Sequence, residues 1–203
     1  LKEIDKAFDD LKSVCRKVAE THTSIGALYL INKRHAKAEQ LWRRAAQLDP
    51  ENTVSRMALA SLYLQTERGE AALRLYEELT RIEPGGIDHY VNAGNCAAML
   101  EQFARAENVF QKMVRIFSTE AAGYRELGRF YLKSGTKPAQ ALALIRKAVD
   151  IEGSSGNLYL LSWACDMNND RAGALDAIER ALKLEPDNRN YRKIQRRLSQ
   201  QEK

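Results

Sequence analysis

The sequence predicts an all-α protein in which antiparallel helix pairs stack one upon the next. Three observations carry this expectation. A closing residue recurs at a nearly constant step: Pro50 and Pro84 stand 34 residues apart, and Ser118, Gly153 and Pro186 end three further units. Self-similarity at such a period marks a stacked repeat array. Residues 53–86, TVSRMALASLYLQTERGEAALRLYEELTRIEPGG, read as two amphipathic helices around a polar turn. Small and large apolar residues alternate at matching places in successive units, as close helix crossings require. Each unit would bury its apolar stripe only against a neighbour, so the expectation is one elongated domain over residues 1–203.

Taken in order, Leu1, Ile4, Phe8, Leu11, Cys15 and Val18 step by three and four and predict a helix over residues 1–18. Ile4, Phe8 and Leu11 share the spacing of Ala38, Trp42 and Ala45 one period later. That match makes this helix the second half of a unit whose first half is missing, and predicts that the chain is a piece of a longer protein. Five full units follow, over 19–52, 53–86, 87–120, 121–155 and 156–188. In the first, Gly26 and Ala38 are the small residues and Tyr29 and Trp42 the large ones. Ala60 and Ala72 with Tyr63 and Tyr76 repeat the scheme, then Gly94 and Ala106 with Phe110. The fourth unit keeps Tyr124, Leu127, Gly128, Tyr131 and Ala141, but its turn SGTKP is one residue longer, and Pro138 suits a first helical position. Leu161, Ser162, Ala174, Ile178 and Ala181 take these places in the fifth. Tyr191, Ile194 and Leu198, with Arg192, Lys193, Arg196 and Arg197 between them, predict a capping helix over 189–203 with a wet outer face.

The order bulky residue, Leu-Gly, aromatic, then Ala, aromatic and Pro is visible in Tyr124, Leu127, Gly128, Tyr131 and Ala141, and in Ala38, Trp42 and Pro50. In these residues the chain resembles the tetratricopeptide repeat family over almost its whole length. It departs from the pattern at His22 and Arg56, where a bulky apolar residue is usual, and at Ser118 and Gly153, which replace the closing Pro. The resemblance implies a right-handed superhelical array, an α-solenoid, whose first helices line a concave groove that binds other proteins or peptides. Some members clamp the C-terminal carboxylate of chaperones with Lys and Asn side chains. Asn95 matches one such Asn, but Val91, Glu126 and Leu160 stand where a Lys, an Asn and an Arg are needed, so that specialised function is not expected here.

Composition narrows the function further. A net charge of +5 from 32 basic and 27 acidic residues is mild, far from the dense basic stripe of a dedicated nucleic-acid binder. An RNA-binding helical-repeat protein, the alternative from another class, would repeat its base-reading side chains in one column of every unit. Thr23, Met57, Val91, Arg125 and Tyr159 form no such column. A third reading is the docking or regulatory region of a larger enzyme whose catalytic domain precedes Leu1. No apolar run approaches the roughly 18 to 20 residues of a membrane span, and LKEIDKAFDD has no signal-peptide pattern. Cys15, Cys96 and Cys165 lack metal-site spacing and read as small buried hydrophobes, which weakly favours a reducing, cytoplasmic setting. His22, His35 and His89 fall in separate units, and the loops PGG and GSSG lack the strand and Lys-Ser/Thr of a phosphate loop. No catalytic set, metal or cofactor is therefore expected.

A filter within the chain selects the candidate site. Leu30, Leu64 and Leu132 recur at one or two periods and are assigned to packing. The column Thr23, Met57, Val91, Arg125, Tyr159 and the column Ala27, Ser61, Asn95, Arg129, Trp163 change in every unit, which leaves them free to meet a ligand. Arg125, Arg129 and Lys133 are spaced by four along one helix face. Tyr159 and Trp163 of the fifth unit and Asn92 and Asn95 of the third complete the set. Guanidinium forks suit carboxylates, and the aromatics offer flat apolar area, so the set predicts a clasp for an acidic peptide. On this reading, removing Arg125 and Arg129 together weakens binding without lowering stability. The competing reading pairs both arginines with Glu126 and packs Trp163 under the capping helix.

Overall fold

A computed structural model describes residues 2–200 and, within the first helix, the side chains of residue 6 and of residues from 10 onward. The described residues form eleven helices and no strand. They group into two compact units, Leu1–Gln102 and Phe103–Lys203. The first unit holds α1 (Lys2–Ile31), α2 (His35–Leu48), α3 (Thr53–Gln65), α4 (Gly69–Ile82) and α5 (Ile87–Met99), each packed on the next. The second holds α6 (Phe103–Ile116), α7 (Ala121–Ser134), α8 (Pro138–Ile151), α9 (Ser155–Met167), α10 (Arg171–Leu184) and α11 (Arg189–Gln200), again packed in series, with α7 also touching α9.

The first helix departs from the sequence reading. Where a boundary was expected between residues 18 and 19, α1 runs on for 30 residues. The stretch RKVAETH contains neither Gly nor Pro, so nothing local interrupts the backbone ladder. Leu1 and the side chains of Ile4 and Phe8 lie outside the described residues. Of the rest of that stripe, Leu11 and Val18 are exposed and Cys15 is half-buried. The face that packs on α2 carries Ala19 and Gly26 instead, both buried.

From α3 onward the first helices begin at residues 53, 87, 121, 155 and 189, an unbroken step of 34. The extra residue in the turn after α7 is taken up by a short loop after α8, so Ser155 opens α9, and the side chain of Ser154 caps it by accepting from the Asn157 amide at 3.4 Å. Small residues sit at the crossings as expected. A Cβ on Gly26 would lie 2.5 Å from Trp42 Nε1, and one on Gly128 would lie 2.6 Å from Ile145 Cδ1. Ser162 fills the same place in the last pair because its buried hydroxyl donates to the Ala174 carbonyl at 2.8 Å.

Each turn between paired helices places one residue in the left-handed region: Lys33, Glu67, Glu101, Gly135 and Asn169, with φ of 57° to 66°. A repeated ion cluster joins neighbouring pairs in each unit. In the first, Glu39 of α2 accepts from the Tyr63 hydroxyl at 3.1 Å and from Arg68 at 2.8 Å. In the second, Glu107 of α6 accepts from the Tyr131 hydroxyl at 2.7 Å and from Lys137 at 2.5 Å. The cation also lies over the tyrosine ring, 4.2 Å from its centroid in one unit and 5.0 Å in the other. The Arg68 hydrogen bond chiefly holds the Glu39 carboxyl below its ordinary pKa, and the Lys137 hydrogen bond does the same for Glu107.

Candidate functional site

In the second unit the first helices α7 and α9 touch, and Tyr159 of α9 stacks on Tyr191 of α11 with centroids 5.7 Å apart and an 18° tilt. Arg125, Arg129 and Lys133 project from α7 and Tyr159 and Trp163 from α9, so five of the seven candidate residues stand on two adjoining helices. Lys133 is exposed, while Tyr159 and Trp163 are half-buried. The aromatic that meets α11 is thus Tyr159, through its ring stack.

The two arginines are not waiting cations. Glu126, 5% exposed, lies between them, 3.2 Å from Arg125 Nε and ion-paired with Arg129. Arg125 also reaches Glu152 at 3.7 Å. A carboxylate this buried is stabilised only while paired, so both guanidiniums have a structural task. The local pairing weighed against the clasp is present. It does not remove the charge: two cations share the buried Glu126, and Lys133 makes no ion pair among the described residues.

Asn92 and Asn95 belong to the other unit, on α5. Asn92 is half-buried and directs its amide at Met57 Sδ of α3, 3.6 Å away. Asn95 is half-buried one turn along the same helix.

Two residues of this face escaped the sequence reading. Lys193 and Arg197 of α11 follow Tyr159 and Trp163 by the same 34 residues that separate those from Arg125 and Arg129. They were read as the wet face of a cap, yet the period alone was enough to find them. Lys193 is exposed and Arg197 pairs with Asp166 of α9 at 2.7 Å. Arg189, Lys193, Arg196 and Arg197 together line a basic recess along α11.

Comparison with known proteins places this geometry. Residues 29–93 match the tetratricopeptide repeat family model. A tetratricopeptide repeat-containing protein of Caenorhabditis elegans, trd-1, is 22% identical over 153 residues, and the chain spans 20% of that relative's length. Among solved structures, a tetratricopeptide repeat protein from Parabacteroides merdae superposes with a TM-score of 0.73 at 12% identity, covering 90% of this chain and 72% of the other. MamA gives 0.66 at 18% identity, covering 86% and 96%. YrrB, described as a TPR protein with an unusual peptide-binding site, gives 0.60 at 18% identity, covering 82% and 86%. The 34-residue step, the small residues at the crossings and the matched segment agree: residues 29–93 match tetratricopeptide repeats, and the chain has the fold of tetratricopeptide repeat proteins.

Proposed function

We propose that this chain is a non-catalytic scaffold that holds an extended, acidic segment of another protein across α7, α9 and α11. The observation that carries the reading is the pair of columns Arg125, Tyr159, Lys193 and Arg129, Trp163, Arg197. They lie at one period on helices linked by packing and by the tyrosine stack, and they are basic or aromatic throughout. Packing does not require that chemistry, because Thr23 and Ala27 occupy the same register in α1. Glu126 holds Arg125 and Arg129 in place, so an incoming carboxylate meets guanidiniums whose ordering cost is already met. Lys133 and Lys193 supply exposed charge beside them, and Trp163 supplies apolar area. YrrB binds peptide on a related fold, which makes the use plausible by analogy.

The test is a titration of the whole chain with a labelled Glu/Asp-rich peptide carrying one aromatic residue. Lys133→Glu with Lys193→Glu is expected to weaken binding by about tenfold or more, the effect of about 1.4 kcal/mol, without moving the melting temperature. Unchanged affinity would leave the basic columns as solvated faces. Tighter binding of an unstructured oligoribonucleotide than of the peptide would replace this reading with the nucleic-acid one.

A further inference from the structure

Helix α1 carries an apolar stripe that it does not use for packing on α2. Leu11, Val14, Val18, Ile25 and Leu28 are between 39% and 60% exposed. With Thr21 in the gap they step by three, four, three, four and three, the spacing of a two-helix seam. In the sequence the steps continue back through Ala7 and Ile4. Ala19 and Gly26, which meet α2, lie about a third of a turn round the helix from this stripe at 100° per residue. A second helix therefore has room beside α2.

The later first helices show what such a face is for. One period on from Ile25 and Leu28 stand Leu59 and Leu62, 3% and 1% exposed. In the second unit Leu127, Phe130, Leu161 and Ala164 occupy the same register and are buried. The preceding second helix packs on each of these first helices, α2 on α3, α6 on α7 and α8 on α9, and Phe130 of α7 meets Phe110 of α6 with ring centroids 5.7 Å apart. The exposed face of α1 continues that helix-packing interface.

Length selects the occupant. The second helices are 14 residues long, about 21 Å, whereas the stripe from Leu11 to Leu28 runs about 27 Å at the helical rise and is extended in the sequence to Ile4. Among the described residues only α1, with 30, matches it. β-Branched Val18 and Ile25 at one seam position, with Leu28 at the other, suit two strands. Asp10, Lys17 and Ser24 border the seam with mixed charge, so no single-sign row opposes its own copy.

We propose that α1 pairs with α1 of a second copy of this chain, with Leu11, Val18 and Ile25 in one seam position and Val14, Thr21 and Leu28 in the other. Light scattering of the full chain, from about 1 µM to about 100 µM, spans the range in which a weak to moderate dimer titrates. The mass is expected to rise from 23.0 kDa towards twice that value. Val18→Glu with Ile25→Glu should stay monomeric throughout, with the helical circular dichroism of the parent and a melting temperature that matches the parent's at the dilute end of the series, because both side chains are exposed in the single chain. Val18→Ser with Ile25→Ser should also lose the dimer and separates seam loss from charge repulsion. A parent chain that stays monomeric at the highest concentration overturns the proposal, as does a dimer that survives either double substitution.

Discussion

Glu67, Glu101 and Lys33 hold the left-handed conformation that Gly135 adopts in the equivalent turn. For a residue with a Cβ this costs about 1 kcal/mol, and only the fourth and fifth turns, with Gly135 and Asn169, display a residue type that announces it. Glu67→Gly should therefore stabilise the chain by about 0.5–1 kcal/mol, read as a shift in the urea midpoint at constant slope. Arg125 and Arg129 give the opposite sign. Replacing both with Ala strands the buried Glu126, and the expected loss is about 3 kcal/mol, measurable by denaturation and partly relieved by adding Glu126→Gln. This reverses the expectation that the two arginines are dispensable for stability. The sequence places Glu126 beside them, but burial, which makes the pairing obligatory, depends on what packs around α7. Gly128→Leu should also destabilise, by about 1–3 kcal/mol, because its side chain would enter the space held by Ile145.

The helix pairs themselves were legible because amphipathic spacing is local, and the starts of α3, α5, α7, α9 and α11 repeat at the period read from the closing residues. The connections between pairs were not. The cluster of Glu39, Tyr63 and Arg68 joins residues 24 and 29 apart, and that of Glu107, Tyr131 and Lys137 joins residues 24 and 30 apart. Both carboxyl pKa values are lowered by folding, so the stabilisation is complete above the unfolded carboxylate value of about 4.3 and is lost as pH falls through the folded values. Between about pH 5 and pH 3 the parent should lose more stability than a Glu39→Gln, Glu107→Gln variant. The difference should be no more than about 1 kcal/mol for each partly exposed cluster. Thermal melts across that interval check it, and parallel slopes would show that the clusters contribute nothing. Helix α1 teaches a related lesson. Its two possible stripes share Leu11 and Val18, and only the position of α2 decides which side of them is covered.

For the molecule as a whole, salt should separate its two proposed surfaces. Binding of an acidic peptide through Lys133, Lys193 and the arginines should weaken as ionic strength rises, since exposed charges are screened over about 8 Å at physiological salt. Self-association through the apolar face of α1 should hold or strengthen under the same change, because apolar burial does not depend on counter-ions. Scattering and peptide titration in one salt series check both, and a common response would mean a common surface. The sequence by itself determined the repeat, the pairing of helices, the small residues at the crossings and the columns that vary from unit to unit. All of these follow from spacing along the chain, and spacing is local. Tertiary structure decided that Arg125 and Arg129 are held by Glu126, that Tyr159 stacks on Tyr191, and that α1 is one helix with a dry side and a wet side. Those outcomes depend on which side chains distant in sequence meet and on which of them water is kept from, and periodicity carries no record of either.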